Sequence, residues 1–416
     1  MAHLGLVCPE VSGHLNPSTT LARALMARGH RVTLFARPDA EAKARSAGLD
    51  FQATAARAFP RGSLEPLIEK LGTLEGWAAL RFTLKMFRDG ARTFLEDGPA
   101  QLAAAGLDGL LIDEVCAAAE PVADQQRLPY VTICNALALA PDPALPPAVL
   151  NWRYRSGRVA RARNRVLWSL LGQLGHLHTG DIRRYRAAHG LPARPGLMRR
   201  AMITQQPELL DFPRVERPPW FHYTGPFHDA ESGDPVEFPF ERLDGRPLVF
   251  ASMGTLQNRQ RETFQMIAEG CAGLDLQLVI SLGRKRARPD ALGAFLPGDP
   301  LVVPYAPQRA LLQRAALVIT HAGLNTALEA LAQGVPLVAI PVTNDQPGVA
   351  ARLAWRGLAE VIPLGDLEPA LLRRAVLRVL SDPRYRQAAR LAQAEMARLP
   401  GPQRAAELIE TALLRG

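Results

Sequence analysis

Two histidines and a handful of carboxylates sit where chemistry could be done. Residues 13–17 read Gly-His-Leu-Asn-Pro and join an apolar run, residues 4–8, to a helical stretch. An imidazole titrating near about 6.5 suits proton abstraction at neutral pH, which makes His14 a candidate general base. Position alone also leaves a plain loop histidine open. Asp113 closes the apolar run 107–113. A carboxylate there can orient the imidazole and stabilise its charged form, or else cap a helix or end a strand in solvent. Glu114 stands beside it and competes for the role.

The second half holds the richest segment, residues 305–353. An apolar run, 317–320, leads into His321-Ala322-Gly323 and then a helix from about Asn325. Gly323 lets backbone approach a ligand closely. The helix start offers free N–H groups and partial positive charge, and His321, Asn325 and Thr326 add side-chain donors. Glu329 lies one turn along, able to accept hydrogen bonds from a diol. These features suit a phosphate site; the plain alternative is that Asn325 only caps the helix and His321 is a loop histidine. Upstream, Ser252-Met253-Gly254-Thr255 forms another glycine turn after a strand. A diphosphate at this helix start would be stabilised by the helix dipole and His321 and not by a metal, and the absence of an Asp-x-Asp pair to chelate a cation agrees with that; no metal site is expected.

The elements that must position these residues follow from periodicity. Residues 4–8 form a strand. Asn16 is expected to cap the next helix, with Pro17 at its first position, an inner stripe of Leu21, Ala24, Leu25 and Met26, and Gly29 as its end. A second strand covers 32–35, and strand–helix–strand at this spacing is a parallel βαβ unit. Strands at 107–113 and 130–134 flank a helix near 117–126. Residues 151–200 carry arginine-rich helical periods, with Leu167, Leu170, Leu171, Leu174 and Leu177 on one face. A second βαβ series has strands at 248–251, 278–281, 301–303, 317–320 and 337–340. The expected fold class is α/β, two doubly wound Rossmann-like domains facing across a cleft: an N-terminal domain, 1–228, a linker, 229–247, and a C-terminal domain, 248–400. The last helix, about 401–416, is expected to pack back on the first domain. Ligands in such sheets bind at the carboxyl ends of strands.

Residues 305–353 resemble the nucleotide-sugar signature of family 1 glycosyltransferases, the UDP-glycosyltransferases. That resemblance implies a GT-B fold and an inverting transferase, with the acceptor bound by the N-terminal domain, 1–228, and the nucleotide sugar by the C-terminal domain, 248–400. It also implies roles. Tyr305 and Gln308 would flank the uracil; His321, Gly323, Asn325 and Thr326 would hold the diphosphate; Glu329 would bind the ribose hydroxyls; Asp345 and Gln346 would bind the donor sugar. Ser252, Gly254 and Thr255 match the family's loop near the phosphates. The Gly-His-x-Asn-Pro segment matches the family's general base at His14, with Asp113 as its partner. Tyr305 and Leu324 stand where tryptophans are usual, and Val349 where asparagine is usual. The stretches 131–137 (Val-Thr-Ile-Cys-Asn-Ala-Leu), 146–154, 161–164 and 344–352 further resemble bacterial zeaxanthin glucosyltransferases. They imply a UDP-glucose donor and a carotenoid or other isoprenoid alcohol. Polyketide, macrolide or flavonoid acceptors, an epimerase of the same fold and a non-catalytic partner of another transferase are the alternatives.

Composition bounds the rest. The 416 residues are 48% apolar and 21% charged, with a net charge of +9, which favours anionic partners. Arg153, Arg155, Arg158, Arg161, Arg163 and Arg165 fall together with no acid between them, interleaved with Trp152, Tyr154 and Trp168. A basic, aromatic helix of this kind can lie on an anionic membrane, or be a solvated face; nucleic acid is not expected. Cys8, Cys116, Cys134 and Cys271 form no Cys-x-x-Cys pair and read as buried thiols of a reducing cytoplasm. No signal peptide and no 18-residue apolar run is found. No cofactor is expected, because the UDP-sugar is a substrate.

Overall fold

Strands covered on both faces read as unbroken apolar runs, because neither side meets water. A computed structural model describes residues 1–74, 76–176, 179–193, 196–229, 236–255, 261–284, 287–293 and 295–415. Leu177 and residues 230–235 of the expected linker lie outside the described residues. The first sheet contains β1 (His3–Val7), β2 (Arg31–Ala36), β3 (Asp50–Ala53), β4 (Gly109–Asp113), β5 (Tyr130–Cys134), β6 (Arg199–Thr204) and β7 (Phe221–Tyr223). The second contains β8 (Leu248–Ser252), β9 (Gln277–Ser281), β10 (Leu301–Val303), β11 (Ala315–Thr320), β12 (Leu337–Ala339) and β13 (Ala359–Val361). Their orders are β3-β2-β1-β4-β5-β6-β7 and β10-β9-β8-β11-β12-β13, and every pairing is parallel. Every residue of β4, β5 and β8 is buried. Each sheet thus reverses direction beside its first strand, which opens a crevice at the carboxyl edge between β1 and β4 and between β8 and β11.

Several elements differ from expectation. β3, β6, β7 and β13 were not foreseen as strands: β3 and β13 are short edge strands, and β6 opens on Arg199 and Arg200. The first helix runs Ser12–Ala27, so Asn16 is not its cap and Pro17 lies inside it. Val11 is the extended cap residue, and its carbonyl accepts from His14 and Leu15 N–H. Gly29 ends this helix as expected, at φ 88°. In the Arg158–His176 helix the inward side carries Ala160, Asn164 and Trp168; Asn164 and Trp168 donate to the Pro143 and Leu145 carbonyls. The closing helix, Gly401–Leu414, packs Ala405, Ala406, Ile409 and Leu413 into the first sheet's core. Phe238 and Phe240 pack against the second. Cys8, Cys134 and Cys271 are buried, Cys116 is half-buried, and all are free thiols.

The two sheets are clamped together by a buried charge cluster. Arg352, on the Gln346–Trp355 helix, donates through Nε to Asp211 Oδ1 at 2.7 Å, while Arg214 Nε reaches Asp211 Oδ2 at 3.0 Å. Phe212 lies under the Arg352 guanidinium and stacks on Tyr154. Burial pushes the Asp211 carboxyl up, but Arg352 and Arg214 outweigh it and hold it below its ordinary range. Replacing Asp211 by Asn should leave two buried guanidiniums without a countercharge and cost about 3–5 kcal/mol of stability in denaturant unfolding. A loss below about 1 kcal/mol would mean that the cluster is not what holds the halves together.

Candidate active site

His14 stands in the first turn of the Ser12–Ala27 helix, just past the carboxyl end of β1. Its Nδ1–H donates to Asp113 Oδ2 at 2.9 Å, with the side chains 19% and 1% exposed. Nδ1 is spent on the carboxylate, so Nε2 is left to accept a proton. Burial lowers the proton affinity of the ring, but the charge and hydrogen bond of Asp113, followed by Asp345 and Glu114, outweigh it and hold His14 above its ordinary value. Asp113 Oδ1 accepts from Val115 N–H at 3.0 Å. Glu114, the competitor, turns elsewhere: its Oε1 accepts from Leu139 N–H, and burial pushes its carboxyl up to about 8. The adjacent acids thus meet different settings, Asp113 beside the imidazole and Glu114 mostly protonated at neutral pH.

Across the cleft, the Leu324–Ala332 helix begins directly after β11, with Gly323 as its cap residue. Thr320 Oγ1 lies 3.2 Å from His321 Nδ1. The Ser252–Thr255 loop presses on the ring from the other side. A Cβ at Gly254, where φ is +78°, would lie 2.7 Å from His321, and one at Gly323 would lie 2.4 Å from its Nε2. Burial lowers His321 to about 4, although the hydrogen bond its ring donates to the Ser252 backbone carbonyl pulls the other way. A ring that is neutral at neutral pH has one N–H to donate and one nitrogen to accept, and its tautomer sets which side faces the helix start. Gln308 Nε2 donates to Glu329 Oε2 at 2.6 Å. Burial raises Glu329, and Gln308 and Arg309 offset it. Tyr305 lies half-buried past β10, and Thr326 is 9% exposed beside Gln308.

Asn325 does not cap its helix. Its Nδ2 donates to the Gly13 carbonyl at 2.6 Å, and its Oδ1 accepts from Gln205 Nε2 at 2.7 Å. The Gly13 carbonyl is available because Pro17, four residues on, has no N–H to give it. Asp345 accepts from Leu137 N–H at 3.0 Å; burial raises it, while Leu137 and His14 pull it back. Gln346 Oε1 accepts from Val342 and Thr343 N–H, which leaves its NH2 group as a donor. His14 and Asp113 thus meet Asn325 and Asp345 at one place, and Ser252, Gly254, His321, Gly323 and Asn325 gather at the helix start. Gln308, Thr326 and Glu329 lie along it. Sequence reasoning missed Asn135 and Gln205, both buried at the carboxyl ends of β5 and β6. The signal was a polar residue following an apolar strand, and β6 itself was not recognised.

The electrostatics set a direction for substitution. Asp113→Asn removes the charge that raises His14, so its imidazole should titrate at lower pH. Glu114→Gln should leave that titration nearly in place, because Glu114 is already mostly protonated at neutral pH. Imidazole NMR titration of His14 checks both, and an Asp113→Asn curve that does not move would remove Asp113 from the pair.

Residues 210–395 match the profile of the family described as UDP-glucoronosyl and UDP-glucosyl transferase. The whole chain is 32% identical over 421 residues to a zeaxanthin glucosyltransferase of Pseudescherichia vulneris, covering 99% of this chain and 98% of that one. It is 28% identical over 423 residues to a zeaxanthin glucosyltransferase of Pantoea ananas, covering 100% and 97%. Among solved structures, the glycotransferase of kitacinnamycin superposes with a TM-score of 0.75 at 25% identity, covering 99% of both chains.

Proposed function

The chain belongs to the family of UDP-glucosyl and UDP-glucuronosyl transferases and is a GT-B glycosyltransferase; from that premise we propose that it moves glucose from UDP-glucose to a hydroxyl of a carotenoid or similar isoprenoid alcohol. One observation carries the reading: the main chain next to His14 and the start of the Leu324–Ala332 helix are joined by the hydrogen bond from Asn325 to the Gly13 carbonyl at 2.6 Å. A hydroxyl activated at His14 therefore lies beside a diphosphate held at that helix start. The names of the two full-length relatives support the donor and acceptor class.

In this scheme His14 Nε2 takes the proton of the acceptor hydroxyl, and Asp113 stabilises the imidazolium that forms. The acceptor oxygen attacks the anomeric carbon while the bond from that carbon to the diphosphate breaks, which inverts the centre. The charge left on the diphosphate meets the free N–H groups of the Leu324–Ala332 helix and the neutral His321 donor. Glu329 and Gln308 take the ribose, Tyr305 faces the uracil, Ser252, Gly254 and Thr255 line the phosphates, and Asp345 and Gln346 take the sugar hydroxyls. The scheme uses no metal and no separate cofactor.

Incubating the protein with several nucleotide sugars and a panel of carotenoid, flavonoid and macrolide alcohols, with products read by mass, tests the substrate class. Transfer confined to flavonoid or macrolide alcohols would overturn the acceptor. UDP released without any acceptor would argue against transfer altogether. His14→Ala should lower kcat about 10²–10⁴-fold, and near-normal turnover in that variant would remove His14 as base.

The proposal includes contact with a membrane, where such an acceptor resides. Val159, Val166 and Leu170 are 85%, 59% and 49% exposed on the Arg158–His176 helix. Arg158 and Arg165 on the same helix, and Arg153 and Arg155 just before it, are exposed as well. Among the described residues no helix is long and apolar enough to cross a membrane, so the contact would be peripheral, on the cytoplasmic face. Vesicles containing anionic lipid should carry the protein in flotation, and Arg158→Glu with Arg165→Glu should release it. Equal flotation with neutral and anionic vesicles would sink the electrostatic part.

A further inference from the structure

A set of buried side-chain amides ties the base to the donor helix, and neither role described so far uses it. Asn135, 1% exposed and one residue past β5, donates both amide hydrogens. One goes to Asp113 Oδ2 at 2.7 Å and the other to Ser18 Oγ at 2.8 Å. Asp113 Oδ2 is the same oxygen that accepts from His14 at 2.9 Å. The Asn135 main-chain carbonyl accepts from Gln205 Nε2 at 2.6 Å, and that nitrogen also donates to Asn325 Oδ1 at 2.7 Å. Asn325 closes the ring on the Gly13 carbonyl, one residue from His14. The orientation of each amide is forced. Turning Asn135 over would set its oxygen against a carboxylate, and turning Gln205 over would set its oxygen against two oxygens.

We propose that Asn135 is a positioning residue that holds the Asp113 carboxylate on His14, and that Gln205 extends the same restraint to Asn325 at the donor helix. The proposal rests on the reading of His14 as base. Asp113 is 1% exposed, so its charge is compensated by neighbouring N–H groups and not by water. Two donors share one oxygen, and each draws charge from the other. If the Asn135 amide is removed, Oδ2 becomes the stronger acceptor for the imidazole and the ring holds its proton more tightly. The charged or titrating groups acting on His14 are Asp113 and Glu114 from the end of β4 and Asp345 from the start of the Gln346–Trp355 helix; none of them is altered by the change.

Asn135→Leu tests the first link. Its His14 titration, followed by imidazole NMR, should move to higher pH, the opposite direction from Asp113→Asn. The acidic limb of the rate profile should follow, with kcat at neutral pH down about tenfold, the size of one charge-assisted hydrogen bond. Should leucine prevent folding, Asn135→Ser, whose hydroxyl stops short of Asp113, reads the same shift. Gln205→Leu should leave the His14 titration in place and raise the KM for UDP-glucose about fivefold. A His14 titration unmoved in both Asn135 variants would overturn the positioning role, whatever the rate does. A donor KM unmoved in Gln205→Leu would overturn the second link. The NMR readout needs no turnover, so it stays informative if His14→Ala proves active and the base reading itself fails.

Discussion

Proline cannot donate a backbone hydrogen bond, and at position 17 that single defect shapes how the two halves meet. Inside the Ser12–Ala27 helix it leaves the Gly13 carbonyl without an intrahelical partner. That leaves the carbonyl open to a donor from elsewhere, and Asn325 from the opposite domain supplies one at 2.6 Å. The contact sets the start of one helix against the start of another, both just past the carboxyl ends of central strands. All strands of each sheet run parallel, so each sheet has one such edge, and the contact makes those edges face each other. The Arg352–Asp211–Arg214 cluster holds the same arrangement from the side, with its charges out of water.

Electrostatics then gives similar side chains different properties. His14 is held above its ordinary value by Asp113, and His321, shut between Gly254 and Gly323 with no carboxylate beside it, is lowered to about 4. One ring accepts and retains a proton while the other stays a neutral donor. Asp113 and Glu114 also meet different partners: the first faces an imidazole and an amide, the second the Leu139 N–H and the Cys134 thiol. Divergent environments for like groups mark a site that can run acid–base chemistry at neutral pH.

Much of this was legible locally. The central strands of both sheets announced themselves as apolar runs, and the glycine turns at Gly254 and Gly323 marked where backbone approaches closely. His14, Asp113, His321 and Glu329 stood out because strand ends followed by helices are where open α/β sheets place their ligands. β3 and β13 are edge strands whose pattern is weak because only one neighbour holds them, and the arginines of β6 hid an otherwise apolar strand. The start of the first helix was misplaced because Asn-Pro is a strong local start signal, yet here the helix forms upstream of it. Its first turn satisfies the Val11 carbonyl, and the proline's missing bond is made good from another part of the chain.

The sequence by itself determined the fold class, the two series of parallel strands and the residue types waiting at each carboxyl edge, because these depend on periodicity and on chemistry within a few residues. Only the tertiary structure decided which carboxylate serves His14, which role Asn325 plays, and that Asn135 and Gln205 belong to the site at all. Those outcomes depend on hydrogen bonds between residues about 20 to 300 positions apart. They also depend on how much water each group loses. Neither quantity is a property of a local stretch of chain: a carboxylate becomes a partner or a bystander according to what is packed against it.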